Sequence, residues 1–528
     1  MSLVRNTATI GGFTLLSRIL GLVRDALMAR FVGAGFASDA FLVAWRLPNL
    51  FRALFAEGAF ASAFVPMFNR TIAEAEKTDG DGLPAGRRFA EDVLSVLFPF
   101  LAVFTTVMIL FPGPIVWAIT FGFRESGGAP KLALATELTR ITFPYLLLIS
   151  LVSLMGGILN SLGRFWVNAA APILLNLCMI AGLLFFHGAD GIETARVQAI
   201  AVTVSGVAQL GWLIWSCRRA GIVLKLKRPS LTPQVRKLLT IIWPAAIGAG
   251  AVQFNLLIST NLASGFLGEG AVSYLYYADR LNQLPLGLIG IGVGTAILPA
   301  LSRQIGGGDD RAAVHTQNRA VELSLLLTLP ATVALMLSAT PLVRGLFQGL
   351  RFTTEATAGC AAALTAFSFG LPAYILIKVL TPGFYARSDT RTPLRIAVVA
   401  MAANLVMNLG FVFLTDLAYV GLAISTAISA WLNVLLLYAT LRRRRQFAID
   451  AQLARRTVRL AAASVAMGAV LLWLNPHVDA HAGGPMLERV LALSVLIGTG
   501  GIVYFGAAFL FRAFSIADLK TQFRRRRA

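Results

Sequence analysis

Charge is scarce in this chain. Asp, Glu, Lys and Arg make up 13% of its 528 residues, about half the share usual in a soluble globular protein. That excludes a surface made mostly for water. Acids are scarcer still, with 25 against 46 basic residues and a formal net charge of +21. Cysteine and histidine are nearly missing. Cys178, Cys217 and Cys360 lie far apart, in or beside apolar segments, and support neither a disulfide framework nor a metal site. Four histidines, two of them in one loop (His477 and His481), give no ligand cluster. There is no G-x-x-x-x-G-K-[ST], so the chain carries no P-loop ATPase of its own. The longest polar stretch, about 69–92, is too short for a soluble domain. The first residues lack the charged segment, apolar core and small-residue cleavage site of a signal peptide, and none is expected. The "GGGDD" run at Gly306 follows an apolar segment rather than a strand, and reads as a connector.

Hydrocarbon is what the chain has in quantity. Hydrophobic residues make up 57%, and the mean hydropathy is +0.74. Apolar runs of about 20 residues recur from end to end, each long enough to cross a bilayer. Strands of a barrel would be about 10 residues of alternating polarity, so the pattern predicts an all-α polytopic membrane protein. Fourteen spans are expected, over about 9–33, 38–68, 90–121, 136–160, 165–187, 195–216, 236–265, 270–302, 318–344, 357–385, 392–415, 417–440, 457–475 and 487–511.

The loops test that count. Those after even-numbered spans, with the two ends of the chain, hold about 32 of the 46 basic residues, including Arg442–Arg445 and Arg524–Arg527. The opposite loops hold only Arg124, Lys131, Arg196, Arg344, Arg351 and Arg489. Basic loops stay cytoplasmic, so both termini are expected there. The excess of positive charge is topogenic, with anionic membrane lipids as its partners, and nucleic acid is not called for.

The sequence repeats. "AWRLPNLFRALFAEGAFASAFVPMFNR" from Ala44 aligns with "ADRLNQLPLGLIGIGVGTAILPALSR" from Ala278, matching Arg46-Leu47 to Arg280-Leu281. More weakly, "FPYLLLISLVSLMGGILNSLGR" from Phe143 aligns with "LPAYILIKVLTPGFYARSDTR" from Leu371. Span 2 thus pairs with span 8 and span 4 with span 10. An offset of six spans preserves orientation, so the halves are parallel repeats, as in many secondary transporters. The expected division is 1–220 (spans 1–6), 221–445 (spans 7–12) and 446–528 (spans 13–14 and a basic tail).

Against this apolar background the intramembrane charges stand out. In "LLSRILGLVRDALMARF" from Leu15, a helical turn of 100° per residue gathers Ser17, Gly21, Arg24, Asp25 and Met28 on one face, with Arg18 at its rim. Span 2 adds Asp39, Arg46, Asn49, Arg52 and Glu57, with Pro48 expected to kink it. Span 8 adds Asp279 and Arg280, and span 10 adds Lys378. Ionisable groups at that depth face one another or a water-filled cavity. Bases outnumber acids, so the cavity is net cationic and its passenger anionic. Arginine rather than lysine favours bidentate recognition of phosphate or carboxylate.

The stretches "SRILGLVRDALMARFVGAGFASDAFLVAWRLPNLFRALFAEGAFASAFVP", "YYADRLNQLPLGLIGIGVGTAILP" and "KVLTPGFYARSDTRTP" closely resemble the lipid II flippase family, MurJ or MviN, of the multidrug/oligosaccharidyl-lipid/polysaccharide exporter superfamily. The resemblance runs over essentially the whole chain. It implies two six-helix lobes around a central cationic cavity, and a groove on spans 13 and 14 for a polyprenyl tail. It implies transport of undecaprenyl-pyrophosphate-linked peptidoglycan precursor across the inner membrane by alternating access, for cell wall synthesis, and no enzymatic reaction. By matching motif positions, Ser17, Arg18, Arg24, Asn49, Arg52 and Arg280 fall in the substrate-binding set. Asp25, Asp39, Glu57, Asp279 and Lys378 fall among the groups that pair with or gate it. Carboxylates for the sodium site of some relatives do not stand out; Asn255, Asn404 and Asn408 are polar but uncharged. A coupling cation, Na+ or H+, therefore has no assignable site, and no other cofactor is implied. The partners implied are lipid II, membrane lipids and the peptidoglycan-synthesis machinery, for a monomeric carrier. The residues alone leave open a flippase for another lipid-linked sugar of O-antigen type, and a cation or drug antiporter of the same superfamily, although the latter would need a dominant carboxylate.

Overall fold

The computed structural model describes residues 3–55, 59–80, 82–124 and 127–513. Glu57, Lys520 and the Arg524–Arg527 run lie outside the described residues. The helices, in order, are α1 (Leu3–Phe31), α2 (Phe36–Phe55), α3 (Ala59–Asp79), α4 (Gly82–Leu110), α5 (Pro112–Thr120), α6 (Gly128–Thr142), α7 (Pro144–Ser161), α8 (Phe165–Phe185), α9 (Gly191–Arg219), α10 (Pro233–Phe266), α11 (Ala271–Gly306), α12 (Asp310–Leu337), α13 (Ala339–Phe347), α14 (Thr354–Phe369), α15 (Leu371–Tyr385), α16 (Arg391–Leu414), α17 (Ala418–Arg443), α18 (Ala451–Ala482) and α19 (Met486–Leu510). No strand occurs among the described residues. Ten stretches of these helices are long and apolar enough to cross a membrane, two of them the joined pairs α6–α7 and α14–α15. This is an all-helical polytopic membrane fold.

Several expected spans are broken, and proline sets some of the breaks. Pro112 and Pro144 open α5 and α7, and Pro372 is the second residue of α15. Proline at a helix start loses no hydrogen bond, because the N–H it lacks would have no partner there. Pro48 behaves otherwise: α2 continues through it. Side-chain caps fix other starts. Asp190, Thr232, Asp309, Thr353 and Asp450 each accept the amide three residues on, supplying a partner for an orphan helix donor.

The contacts divide the chain into two compact units. One comprises Met1–Ser273 with Leu350–Phe352; the other comprises Tyr274–Gly349 with Thr353–Ala528. In the first, α10 packs on α2, α3, α4 and α5. Its core holds a run of aromatic rings, Phe64 lying 5.3 Å from Phe60 and 5.6 Å from Phe89, against Leu154 and Ile158 of α7. In the second unit α18 packs on α12, α13 and α19. There Leu325, Val379, Leu437, Met467, Leu496 and Tyr504 form a shared core. Lipid is as apolar as these side chains, so close packing rather than dehydration holds such helices together. Gly206 shows how close: an added Cβ would lie 2.9 Å from the side chains of Leu148 and Tyr145 on α7. Val458, Val465, Ile497 and Ile502 of α18 and α19 are exposed, an arrangement stable only against hydrocarbon.

Candidate functional site

The polar face of α1 is present, and it is closed upon itself. Arg24 is 4% exposed and Asp25 is 0% exposed. The guanidinium donates to Asp25 Oδ1 from Nε at 3.0 Å and from Nη2 at 2.7 Å. On its other side Nη1 donates to Asn176 Oδ1 at 2.9 Å, and the group lies 4.8 Å from the centre of the Trp45 ring. Removing two charges from water costs several kcal/mol each, so they persist only with good mutual geometry and further hydrogen bonds. Asn176 supplies one. Its amide nitrogen also donates to the Ser17 carbonyl at 2.9 Å. Arg18, one residue on, is half-buried, and its Nε makes no hydrogen bond among the described residues.

Trp45 connects this face to α2. The Asn49 amide donates to the Trp45 carbonyl at 3.0 Å, and Arg52 Nε donates to Asn49 Oδ1 at 3.2 Å. Asn176 joins Ser17 to Arg24 and Asp25, and the Trp45 ring meets Arg24, while Asn49 and Arg52 follow Trp45 along α2 through bonds within that helix. Sequence reasoning did not single out Asn176; its signal was a lone amide in the middle of an apolar helix, which must find a partner.

Asp39 has a different place and a different partner from the arginines expected for it. It is 1% exposed, at the start of α2. Its carboxylate accepts Lys131 Nζ at 2.7 Å, the Gly270 amide at 2.9 Å, the Ser273 amide at 2.9 Å and the Ser273 hydroxyl at 2.5 Å. Lys131, also fully buried, comes from the first turn of α6. Asp39 therefore caps the start of α11. The reverse contact exists too: Glu269 Oε1, just before α11, accepts the Phe36 amide at the start of α2 at 2.7 Å. The hydroxyls of Ser38 and Ser273 meet between them. Extending the repeat register of Arg46 and Arg280 backwards matches Gly35 to Glu269, Phe36 to Gly270 and Asp39 to Ser273. Two repeat-related helices thus cap one another. Beside them the Leu350–Phe352 segment joins the same unit. Arg351 Nη2 donates to the Ala189 carbonyl at 2.5 Å. Gly33, at φ +88, makes room for the Arg351 backbone, since an added Cβ would lie 2.5 Å from its carbonyl oxygen.

The second unit holds the remaining candidates. Arg280 Nη2 donates to the Tyr276 hydroxyl at 2.9 Å and its guanidinium lies 5.2 Å from that ring. Asp279 Oδ2 accepts Gln283 Nε2 at 2.5 Å. Lys378 is exposed on α15. On α16 and α17, Asn404, Asn408 and Ser425 are buried and bonded to one another: Asn408 Nδ2 donates to Asn404 Oδ1 at 3.2 Å, Asn404 Nδ2 to Ser425 Oγ at 3.3 Å, and Ser425 Oγ to Asn408 Oδ1. No carboxylate joins them, and no group of three or more His, Cys, Asp or Glu residues forms a metal site among the described residues. The side chain of Asn255 lies outside the described residues. These neutral, mutually satisfied groups do not fit a sodium site built on carboxylates.

Outside the spans, Asp389 and Asp450 tie loops to helix starts. Asp389 accepts the Thr392 hydroxyl at 2.6 Å and Arg444 Nη1 at 2.7 Å. These bonds, with the Thr392 amide, hold its carboxyl well below the usual range. Burial pushes the Asp450 carboxyl up, but the Leu453 amide and the Arg319 guanidinium outweigh it and lower the net value.

A polytopic helical membrane fold that buries Arg24 in its first helix, with Arg18, Arg46 and Arg52 half-buried in the first two, belongs to the class of membrane transporters. Solved structures agree on the fold: a lipid II flippase MurJ in an inward closed conformation matches over 95% of this chain and 98% of its own, with a TM-score of 0.74 at 24% identity. An inward-facing multidrug resistance MATE transporter of the MOP superfamily covers 83% of this chain and 97% of its own, with a TM-score of 0.63 at 16% identity. The sequence is more particular. The profile of the family described as lipid II flippase MurJ matches residues 28–492. A probable lipid II flippase MurJ of Rhizobium tropici is 41% identical over 100% of this chain and 98% of its own length. The lipid II flippase MurJ of Burkholderia cenocepacia is 35% identical over 96% and 97%. The chain belongs to the lipid II flippase MurJ family.

Proposed function

We infer that this chain flips lipid II from the cytoplasmic to the periplasmic leaflet of the bacterial inner membrane, for peptidoglycan synthesis. Its membership of the MurJ family carries this reading, and buried Arg24 with half-buried Arg18, Arg52 and Arg280 supplies the chemistry. Lipid II carries a pyrophosphate and peptide carboxylates, and a bilayer centre is prohibitive for both. Arg18, Arg24, Arg52 and Arg280 would hold those anions by charge-assisted hydrogen bonds, with Ser17 and Asn49 beside them. Asp25, Glu57 and Asp279 would balance the arginines when the site is empty, while Asp39, held by Lys131 and the start of α11, and Lys378 would act in gating. The polyprenyl tail would stay in lipid, along spans 13 and 14.

The architecture that serves this reading is fourteen spans, with 1–220 and 221–445 as two lobes around a cationic cavity and 446–528 as the tail-binding addition. Pairing α2–α3, α4–α5, α6–α7, α12–α13 and α14–α15 reduces the nineteen α-helices of the described residues to fourteen crossings. The basic loops favour both termini in the cytoplasm. The starts of α2 and α11 would then lie on the periplasmic side, where release of their mutual caps would accompany opening toward that side. The membrane potential, worth about 2.3 kcal/mol per charge per 100 mV, biases the return of an empty cationic cavity; no step is routed through a bound Na+ or H+. The carrier would act as a monomer alongside the peptidoglycan-synthesis machinery. The pyrophosphate of another lipid-linked sugar would suit the same arginines, so the cargo rests on the family relation.

The test is depletion of this protein from its host, with a probe that cleaves lipid II only on the periplasmic face. Lipid II becomes inaccessible on depletion, the wild-type chain restores access, and Arg24→Ala or Arg280→Ala does not. Continued access to lipid II, with a different lipid-linked sugar trapped inside, would overturn the cargo.

A further inference from the structure

Asn176 sits mid-way along α8, an apolar helix of 21 residues, and is 4% exposed. Both ends of its amide are used on α1, two turns apart: Nδ2 on the Ser17 carbonyl and Oδ1 on Arg24 Nη1, each at 2.9 Å. The partners dictate the orientation, because a guanidinium only donates and a carbonyl only accepts. Gly21 lies between the two contacts, where an added Cβ would sit at ordinary contact distance, 3.9 Å, from both polar atoms of Asn176. Asn176 therefore fixes the side of the guanidinium that Asp25 does not, while Trp45 lies against its face at 4.8 Å. A simple glue between α1 and α8 would not need a charged group as one of its two partners. The repeat makes the comparison sharper. Asn176-Leu177, Met179 and Gly182 match Asn404-Leu405, Met407 and Gly410. Yet Asn404 bonds neutral Ser425 and Asn408, while Asn176 bonds an arginine.

The geometry points to Asn176 as a positioning residue for anion recognition, acting on the pyrophosphate or carboxylates of the cargo through Arg24. This rests on the reading of Arg24 as a cargo-binding residue. A neutral amide acceptor holds the guanidinium without cancelling its charge, as a second carboxylate would. Arg24 keeps its direction with Asp25 balancing its charge, so an anion that displaces Asp25 meets the guanidinium already aimed.

The experiment is a double-mutant cycle on the full-length protein in lipid nanodiscs, reading lipid II affinity and thermal melting together. Asn176→Ala is expected to weaken lipid II binding about tenfold in the wild-type background and less than twofold in an Arg24→Ala background, as for two residues acting as one unit. Asn176→Asp keeps the acceptor but adds charge. It is expected to weaken binding at least as much, again only when Arg24 is present, and it serves if the alanine variant fails to insert. Equal losses in both backgrounds, or a lower melting temperature with unchanged affinity, would make Asn176 purely structural and overturn the proposal. An Arg24→Ala variant that binds lipid II normally would instead remove the reading of the site on which the proposal stands.

Discussion

Replacing Asp39 with asparagine should open the periplasmic side. The carboxylate takes four donors: Lys131, two amides at the start of α11, and the Ser273 hydroxyl. Asparagine is nearly the same size but carries no charge, which leaves the buried Lys131 ammonium without its counter-ion. Breaking a buried pair from one side costs about 3–5 kcal/mol. On the proposed reading the caps hold the outward-closed arrangement, so that cost would fall on it alone. At 1.4 kcal/mol per tenfold, the closed-to-open ratio drops by about a hundredfold at the lower end of that range. The readout is labelling of an Ala271→Cys reporter, 2% exposed at the start of α11, by a membrane-impermeant maleimide on intact cells. Asp39→Asn should raise the labelling rate steeply, and Asp39→Asn with Lys131→Met should return it most of the way, because no charge is then left uncompensated. Equal labelling in the wild type and Asp39→Asn, with both chains folded, would refute the reasoning. A double variant that labels as fast as the single one would show that the charge of Lys131 is not the cause.

Two further outcomes follow from the same structure. Gly33→Ala combines a positive φ of +88 with a Cβ placed 2.5 Å from the Arg351 carbonyl oxygen, so it should cost more than about 1 kcal/mol and lower the melting temperature, whereas the same change at Gly498, which meets nothing within 4 Å, should not. Asp389, held below its ordinary pKa by Thr392 and Arg444, stabilises the fold above the unfolded value of about 4 and loses that contribution as pH falls through its folded value. Asp389→Asn keeps an acceptor for the Thr392 amide but gives up the charge facing Arg444, so at pH 7 it should be less stable than wild type by up to about 1 kcal/mol, the range of a partly exposed ion pair, with the gap closing in acid; a gap that widens there would contradict the assignment.

Much of this molecule was legible before any coordinates. Long apolar runs announce helices that cross lipid, and the 100° step placed Arg24 and Asp25 on one face of α1, where they do pair. What escaped was whatever depends on distant chain. Asn176 lies 152 residues from Arg24, and Lys131 lies 92 from Asp39. Lys131 looked like an ordinary loop lysine, because periodicity says which face a residue occupies and nothing about what meets that face. Helix breaks were missed for a similar reason. A mean hydropathy is blind to direction, so α6 and α7 read as one span although Pro144 opens a new helix.

The exchanged caps at α2 and α11 have a kinetic consequence. Each helix start depends on a carboxylate borrowed from the other, Asp39 in one direction and Glu269 in the other. Parting the two strips both ends at once, so a half-released seam recovers nothing. Such a contact would behave as a snap fastener, holding against small tugs and, because each start loses its acceptor when the other does, yielding in one cooperative step.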